Sequence, residues 1–356
     1  MSLRDELALD HAEMLAPSVR ARDLVALVPA VAAIAYPFTL QGFHMAVSGA
    51  GSLGPVASAW FAAVLLLAAF LSPGLGLALV LRSSRLTQPS WFQLRARQLA
   101  LLSVAAPPLF VFIAFLLYIL HRPVPEPWAW VLLWSAAALW TWIGQVGEAS
   151  AAATAPATRL RVAHGAVAAI VVTYILFHQV NHLFGLIGPD AHAAVMKLGR
   201  KIYRAPAIEP LLVGFLLFQV VSGGWLAWRW SALRIDRYRM FQVASGVYLW
   251  FFILTHMNSA LVSARLIHKT DTNWSWASGA PTGLIQDAWN IRLLPHYALG
   301  VFFVLSHLAS GLRSVLLAHG LNPVIANRAW WAGLAVSALV SAAIISGLCG
   351  MRIRVG

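Results

Sequence analysis

Charge is what this chain has least of. Only 10% of its 356 residues are Asp, Glu, Lys or Arg, where a soluble domain carries about a quarter, so a water-facing globular surface is excluded. Acids are the scarcer sign. The 12 Asp and Glu leave no carboxylate in the middle of any apolar run; Glu148 and Glu209 fall at run ends. That argues against a proton pump or ion-coupled carrier, which needs buried carboxylates. Cysteine is nearly missing. Cys349 alone permits no disulfide within the chain, no CxxCH haem attachment and no thiolate metal site. The opening MSLRDELALDHAEMLAPSVRARD lacks an apolar core behind its charges, so it reads as a short amphipathic cytoplasmic segment over residues 1–23 rather than a signal peptide.

What is present is hydrocarbon. Hydrophobic residues make up 60% of the chain and the mean hydropathy is +0.75. Runs of about 20 apolar residues, enough to cross about 30 Å of lipid, recur throughout. The pattern predicts an all-α, polytopic integral membrane helix bundle of about nine spans. These are placed at 24–46, 55–81, 98–120, 127–147, 162–187, 208–230, 240–264, 295–317 and 329–350. Pro37, Pro73, Pro107 and Pro108 lie inside the first three and are expected to kink them. Trp128, Trp130, Trp225, Trp228, Trp230, Trp330 and Trp331 stand near span ends, as interfacial aromatics do. The net charge of +13 then marks cytoplasmic loops, not a nucleic-acid partner. Most Lys and Arg fall in the segments placed inside when the N-terminus is cytoplasmic, as in a bacterial inner-membrane protein with its C-terminus outside. Two outer loops are long, 188–207 and 265–294; the second is aromatic and Gly-rich and could cap a site.

Histidines divide the chain into a four-helix region, 24–150, without ligand-type histidines and a five-helix region, 151–356. His178, His256 and His307 lie well inside spans of the second region, with His182 and His296 nearer the outer ends. At about 1.5 Å of rise per residue, His178, His256 and His296 share one level in the outer half, and His307 lies deeper. Buried ionisable groups in lipid are costly and mark function. Imidazoles on different helices at one depth suit an iron porphyrin, and Ser245, Gly246, Ser259, Gly300 and Gly311 offer small neighbours. Zinc is a poorer match, because it takes three or four ligands.

The stretch FQVASGVYLWFFILTHMNSALVSA (241–264) resembles the first helix of the membrane cytochrome b anchor of succinate dehydrogenase and fumarate reductase, the succinate:quinone oxidoreductase family. HYALGVFFVLSHLASGLRSVL (296–316) is similar to its second helix, ILFHQVNHLFG (175–185) to its fourth, and LLFQVVSGGWLAWRW (216–230) to its fifth. The resemblance covers the C-terminal half, in changed order, and the first four spans have no counterpart. It implies haem-ligand positions at His256, at His307 and at His182, whereas the depth arithmetic favours His178. Where the fifth helix carries a ligand four residues before a glycine, this chain has Gln219 ahead of Gly223. His307 is thereby left without its family partner, and one haem b, on His256 with His182 or His178, is the expectation.

On that resemblance the chain is an electron-transfer subunit exchanging electrons with a membrane quinone. Gln242 and Ser245 are the candidates to hydrogen-bond the quinone, and cytoplasmic iron–sulfur and flavoprotein subunits are the implied partners beside lipid. Nothing in the chain binds flavin or an iron–sulfur cluster, so it is at most the quinone-reactive subunit, with no dehydrogenase site of its own. The alternative is a haem-free membrane scaffold or small-ligand carrier derived from that fold, its histidines packing residues.

Overall fold

In hydrocarbon a backbone N–H or C=O has no water to turn to, so apolar chain must close its hydrogen bonds within itself, as helix. The computed structural model describes residues 23–49, 54–84, 86, 89–144 and 157–354, and the regular elements among them are helices. A short 3-10 turn, Leu24–Leu27, leads into α1 (Val28–Val47). Then come α2 (Pro55–Ser83), α3 (Trp91–Val104), α4 (Ala106–Ile119), α5 (Glu126–Trp142) and α6 (Thr158–Leu183). The chain continues with α7 (Pro189–Tyr203), α8 (Ile208–Ser231), α9 (Arg237–Met257), α10 (Leu293–Ala318) and α11 (Pro323–Leu348). The N-terminal segment expected to be amphipathic lies, through residue 22, outside the described residues, as does Glu148.

Among the described residues, seven helical segments are long and apolar enough to cross a membrane, or eight if the bent pair α3 and α4 is one span. This is an integral membrane helix bundle, and the expected count of nine changes at two places. The third expected span is two helices meeting at 74°. Pro107 and Pro108 cannot donate to the preceding turn, and they sit in the first turn of α4, where a missing N–H is harmless. The fourth is α5, a helix of 17 residues. Pro37 and Pro73, by contrast, lie buried inside unbroken α1 and α2.

Polar caps mark several starts. Ser90 and Gln93 form a reciprocal capping box at α3, the Asp236 carboxylate accepts from Arg239 N at 2.9 Å on α9, and the Asn322 side chain accepts from Val324 N at 2.8 Å on α11. Each satisfies an orphan donor of the first turn.

The two regions read from the sequence share one interior. Phe251, Ile291 and Leu294 of the second region join Tyr36, Phe110, Trp130 and Trp134 of the first in a common core, and α9 runs through the middle. Trp128, Trp225, Trp228 and Trp331 are exposed as expected of interfacial rings. Trp130 and Trp330 are not. Both are buried, and each satisfies its indole N–H inside the bundle: Trp130 Nε1 donates to Ala33 O at 2.5 Å and Trp330 Nε1 to Ser310 Oγ at 2.8 Å. The largest buried charge is Arg97. It donates to Ser83 O (2.7 Å), Ser83 Oγ (3.2 Å), Ser231 O (3.1 Å) and Leu233 O (2.9 Å), so one guanidinium caps the carboxyl ends of α2 and α8 together.

Candidate cofactor site

Helix α6 carries His178, Asn181 and His182 on one face, and that face meets α9 at His256. The rings of His178 and His256 are 5.8 Å apart between centres, and His182 stands 4.7 Å from His178 one turn further on. The depth arithmetic and the resemblance therefore both point into one place, with His178 the ring adjacent to His256. Phe252 lies parallel to His256 at 5.6 Å and 14° and holds its plane. His296 is separated from this group: it is buried behind Phe252, 4.8 Å from that ring, although it shares the level expected for it.

The fourth imidazole of the cluster is one the sequence reading passed over. His192 belongs to α7, placed in a loop because its run is too short and polar to span. Its buried stripe, His192, Met196 and Gly199, has helical spacing, with Lys197, Leu198, Lys201 and Ile202 on the exposed side. That is the pattern of a helix lying along an interface, and the i, i+4, i+7 spacing was the available signal. His192 is 5.3 Å from His182, and Asn181 Nδ2 donates to its Nε2 at 3.1 Å. Burial, and after it the Arg200 guanidinium, pushes the His192 pKa down to about 4, so the ring is neutral.

These rings line a cavity of about 240 Å³. Its walls are mostly apolar, including Leu212, Leu216, Val301 and Ile344, and its mouth carries Arg200, Tyr203, Arg204, Glu209 and Arg265. The loop 265–294, whose composition allowed either a cap or a plain connector, covers it. Trp274 packs against His192 at 4.8 Å and Arg200 anchors the loop through Asp271 (2.9 Å) and Thr272 (3.1 Å). Arg265 and Glu209 pair across the mouth. Gly185 is what lets the indole in: a Cβ there would sit 1.9 Å from the Trp274 ring. Beside the cavity, α9 widens into π-helical turns over Asn258–Ile267, a departure often found at functional sites.

Several buried polar atoms here have no hydrogen-bond partner among the described residues. They include Nδ1 of His182, His192 and His256, Asn181 Oδ1, Gln179 Oε1 and Arg200 Nε. A protein does not ordinarily leave so many in one place. No three His, Cys, Asp or Glu side chains among the described residues converge to hold a bare metal ion. With metal–imidazole bonds of about 2 Å, two rings sharing one ion have centres about 6 Å apart, close to the spacing of His178 and His256. The residues thus fit a group that brings most of its own metal ligands.

The remaining expected residues lie elsewhere. His307, Ser245 and Gln242 form a second polar group nearer the ends of α9 and α10 that carry Arg239 and Arg313: Ser245 Oγ is 2.9 Å from His307 Nδ1, and Arg239 Nη1 donates to Gln242 Oε1 at 2.6 Å. Gln219 faces neither the cavity nor an iron position in it. Its amide donates to the carbonyl of His164 on α6 at 2.9 Å.

The fold and the cavity together define the class: a polytopic helical membrane protein with a buried, histidine-lined pocket. No protein-family model, characterised protein or solved structure matches this chain.

Proposed function

We propose that the chain is a membrane electron-transfer protein that holds a haem b in the histidine-lined cavity, on His178 and His256, and exchanges electrons with a membrane quinone. The single observation that carries the reading is the pair of buried imidazoles 5.8 Å apart on facing helices, beside a cavity lined by further unpartnered nitrogens. A haem-free packing role would require those nitrogens to be satisfied by the protein. When bound, the haem supplies the one-electron chemistry.

The chain's own residues do the positioning. His178 and His256 would ligate, and Phe252 fixes the plane of His256. His182 and the Asn181–His192 pair close the end of the cavity. Trp274 and α7 shield it from water, which keeps the local dielectric low. Arg200 and Arg204 present cationic donors at the mouth, Arg200 Nε without a partner, suited to the carboxylates such a group carries. Of the two residues expected at a quinone, Ser245 has its hydroxyl engaged with His307 and the Gln242 carbonyl. The Gln242 amide N–H₂ is left as the donor a quinone carbonyl would take. Partner iron–sulfur and flavoprotein subunits belong to the same proposal.

The test is the dithionite-reduced minus oxidised spectrum of the purified chain grown with ample haem. A b-type band is expected, reduced by at least half in His178→Ala and in His256→Ala and unchanged in His44→Ala. A flat spectrum from folded protein, or a band indifferent to both cavity substitutions, would overturn the proposal.

A further inference from the structure

The segment KLGRKIYR (197–204) gathers basic residues in a loop that the expected topology puts outside, where Lys and Arg are otherwise sparse. Its cations divide into two kinds. Both guanidiniums are held by the protein: Arg200 donates to Asp271 at 2.9 Å and to Thr272 O at 3.1 Å, and Arg204 to Thr272 Oγ1 at 3.0 Å. Both ammoniums are free. Lys197 and Lys201 are exposed, and among the described residues neither has a carboxylate within ion-pair reach. The chain has three lysines, so two of the three stand unpaired on one helix, α7.

Residues four apart share a flank of a helix. Lys197 and Lys201 form one flank of α7, and Leu198 and Ile202, 62% and 63% exposed, form the flank beside it. The inner face is occupied. A Cβ on Gly199 would stand 2.2 Å from the Phe177 ring of α6, and Tyr203 packs on Tyr174 at 5.4 Å. Only the two outer flanks are therefore open to a partner, and they lie at the level of a span end. Shortly after Tyr203, α8 begins an apolar run long enough to cross a membrane, with Ile208 and Leu211 exposed at its start. At such a level acyl chain gives way to headgroup, and a lysine stem lies along the first while its ammonium reaches the second. The one acid of the helix, Asp190, is two turns before Lys197, about 10 Å of rise, so no carboxylate offsets the pair.

We infer that these two flanks of α7 form a binding site for anionic phospholipids. The Lys197 and Lys201 ammoniums take the headgroup oxygens, and Leu198 and Ile202 take the first methylenes of the acyl chains. A mobile headgroup suits an ammonium, which acts as a point charge, where a guanidinium favours a fixed fork. The apolar pair selects a lipid over a soluble anion, which would leave both side chains in water. A basic flank beside an apolar one is also how interfacial helices hold acidic membranes. The site is on the outside of α7, away from the histidine cavity, and rests on neither haem nor quinone.

The scarcity of lysine makes the test direct. The full-length chain is placed in nanodiscs of phosphatidylcholine, or of phosphatidylcholine and phosphatidylglycerol in equal parts, and its amines are acetylated with an N-hydroxysuccinimide ester. Mass spectrometry reads each lysine. Lys197 and Lys201 are expected to react about fivefold more slowly in the mixed discs, while Lys269, exposed on the loop after α9, keeps its rate. Equal slowing of all three would be surface potential acting on any amine, and overturns the site. The same protection from inorganic phosphate in detergent overturns the lipid as ligand. Lysines already unreactive in lipid-free detergent would mean that protein, such as a second copy of the chain, covers the flank, which also overturns it. In native mass spectrometry the double variant Lys197→Gln, Lys201→Gln is expected to retain phosphatidylglycerol about 20-fold more weakly, with phosphatidylcholine unaffected and Lys269→Gln unchanged. Phosphatidylglycerol retained equally by the folded double variant overturns the inference.

Discussion

Replacing Arg97 by Met is expected to be the most destabilising substitution in the chain outside the histidine sites, by about 3–5 kcal/mol. The side chain is 1% exposed and apolar packing around its stem would survive, so the loss isolates the guanidinium. Four acceptors, Ser83 O, Ser83 Oγ, Ser231 O and Leu233 O, would lose their donor. Ser83 O keeps the Leu86 N–H at 3.2 Å, whereas Ser231 O and Leu233 O, at the carboxyl end of α8, have no intrahelical N–H to replace it and sit where the macrodipole concentrates negative potential. The penalty is the desolvation of several orphans at once, not the strength of one bond. Thermal unfolding in detergent should show a large fall in midpoint for Arg97→Met and a smaller one for Arg97→Lys, which keeps the charge but cannot reach both ends with a fork. A midpoint unchanged in both would mean the carbonyls find other partners.

Gly76→Val should destabilise by about 3 kcal/mol, the upper end of overpacking effects. A Cβ at Gly76 would lie 2.2 Å from Ser103 Oγ, 2.7 Å from Ala100 O and 3.1 Å from Val104 N. Two of those three are backbone atoms of α3, which cannot swing aside as a side chain would, so α2 and α3 must separate. Gly74, two residues earlier on the same helix, has nothing within 4 Å of its added Cβ. Gly74→Ala should be neutral or raise stability by up to about 1 kcal/mol through helix propensity. The same unfolding assay reads both. Equal effects of the two substitutions would show that close approach at Gly76 is not what binds α2 to α3.

Gly74 and Gly76 show why only part of this protein can be read without its fold. Both are glycines in one apolar helix, and the sequence carries no mark that one faces lipid and the other a neighbour's backbone. The tryptophans divide in the same way. Trp128 and Trp130 are two residues apart at the start of one helix, and one is exposed while the other is buried.

Local composition was sufficient for the class. Scarce charge and repeated apolar runs require helices that cross a bilayer, because hydrocarbon permits the backbone no other partners. The positions of five spans in the second half follow from run length alone. The break at Ala105 came from Pro107 and Pro108, yet Pro37 and Pro73, equally visible, left their helices unbroken. The sequence also identified histidines as the unusual feature and put His178 and His256 at one depth, because rise per residue is constant along a helix.

Which imidazoles meet was decided only in three dimensions. Depth is set along one helix, but contact depends on how each helix is rotated and which helices are neighbours, and about 100° of rotation per residue separates a ring in the cavity from one in lipid. Thus His296, at the right level, is turned behind Phe252, and His192, outside any span, is folded into the cluster by an amphipathic helix.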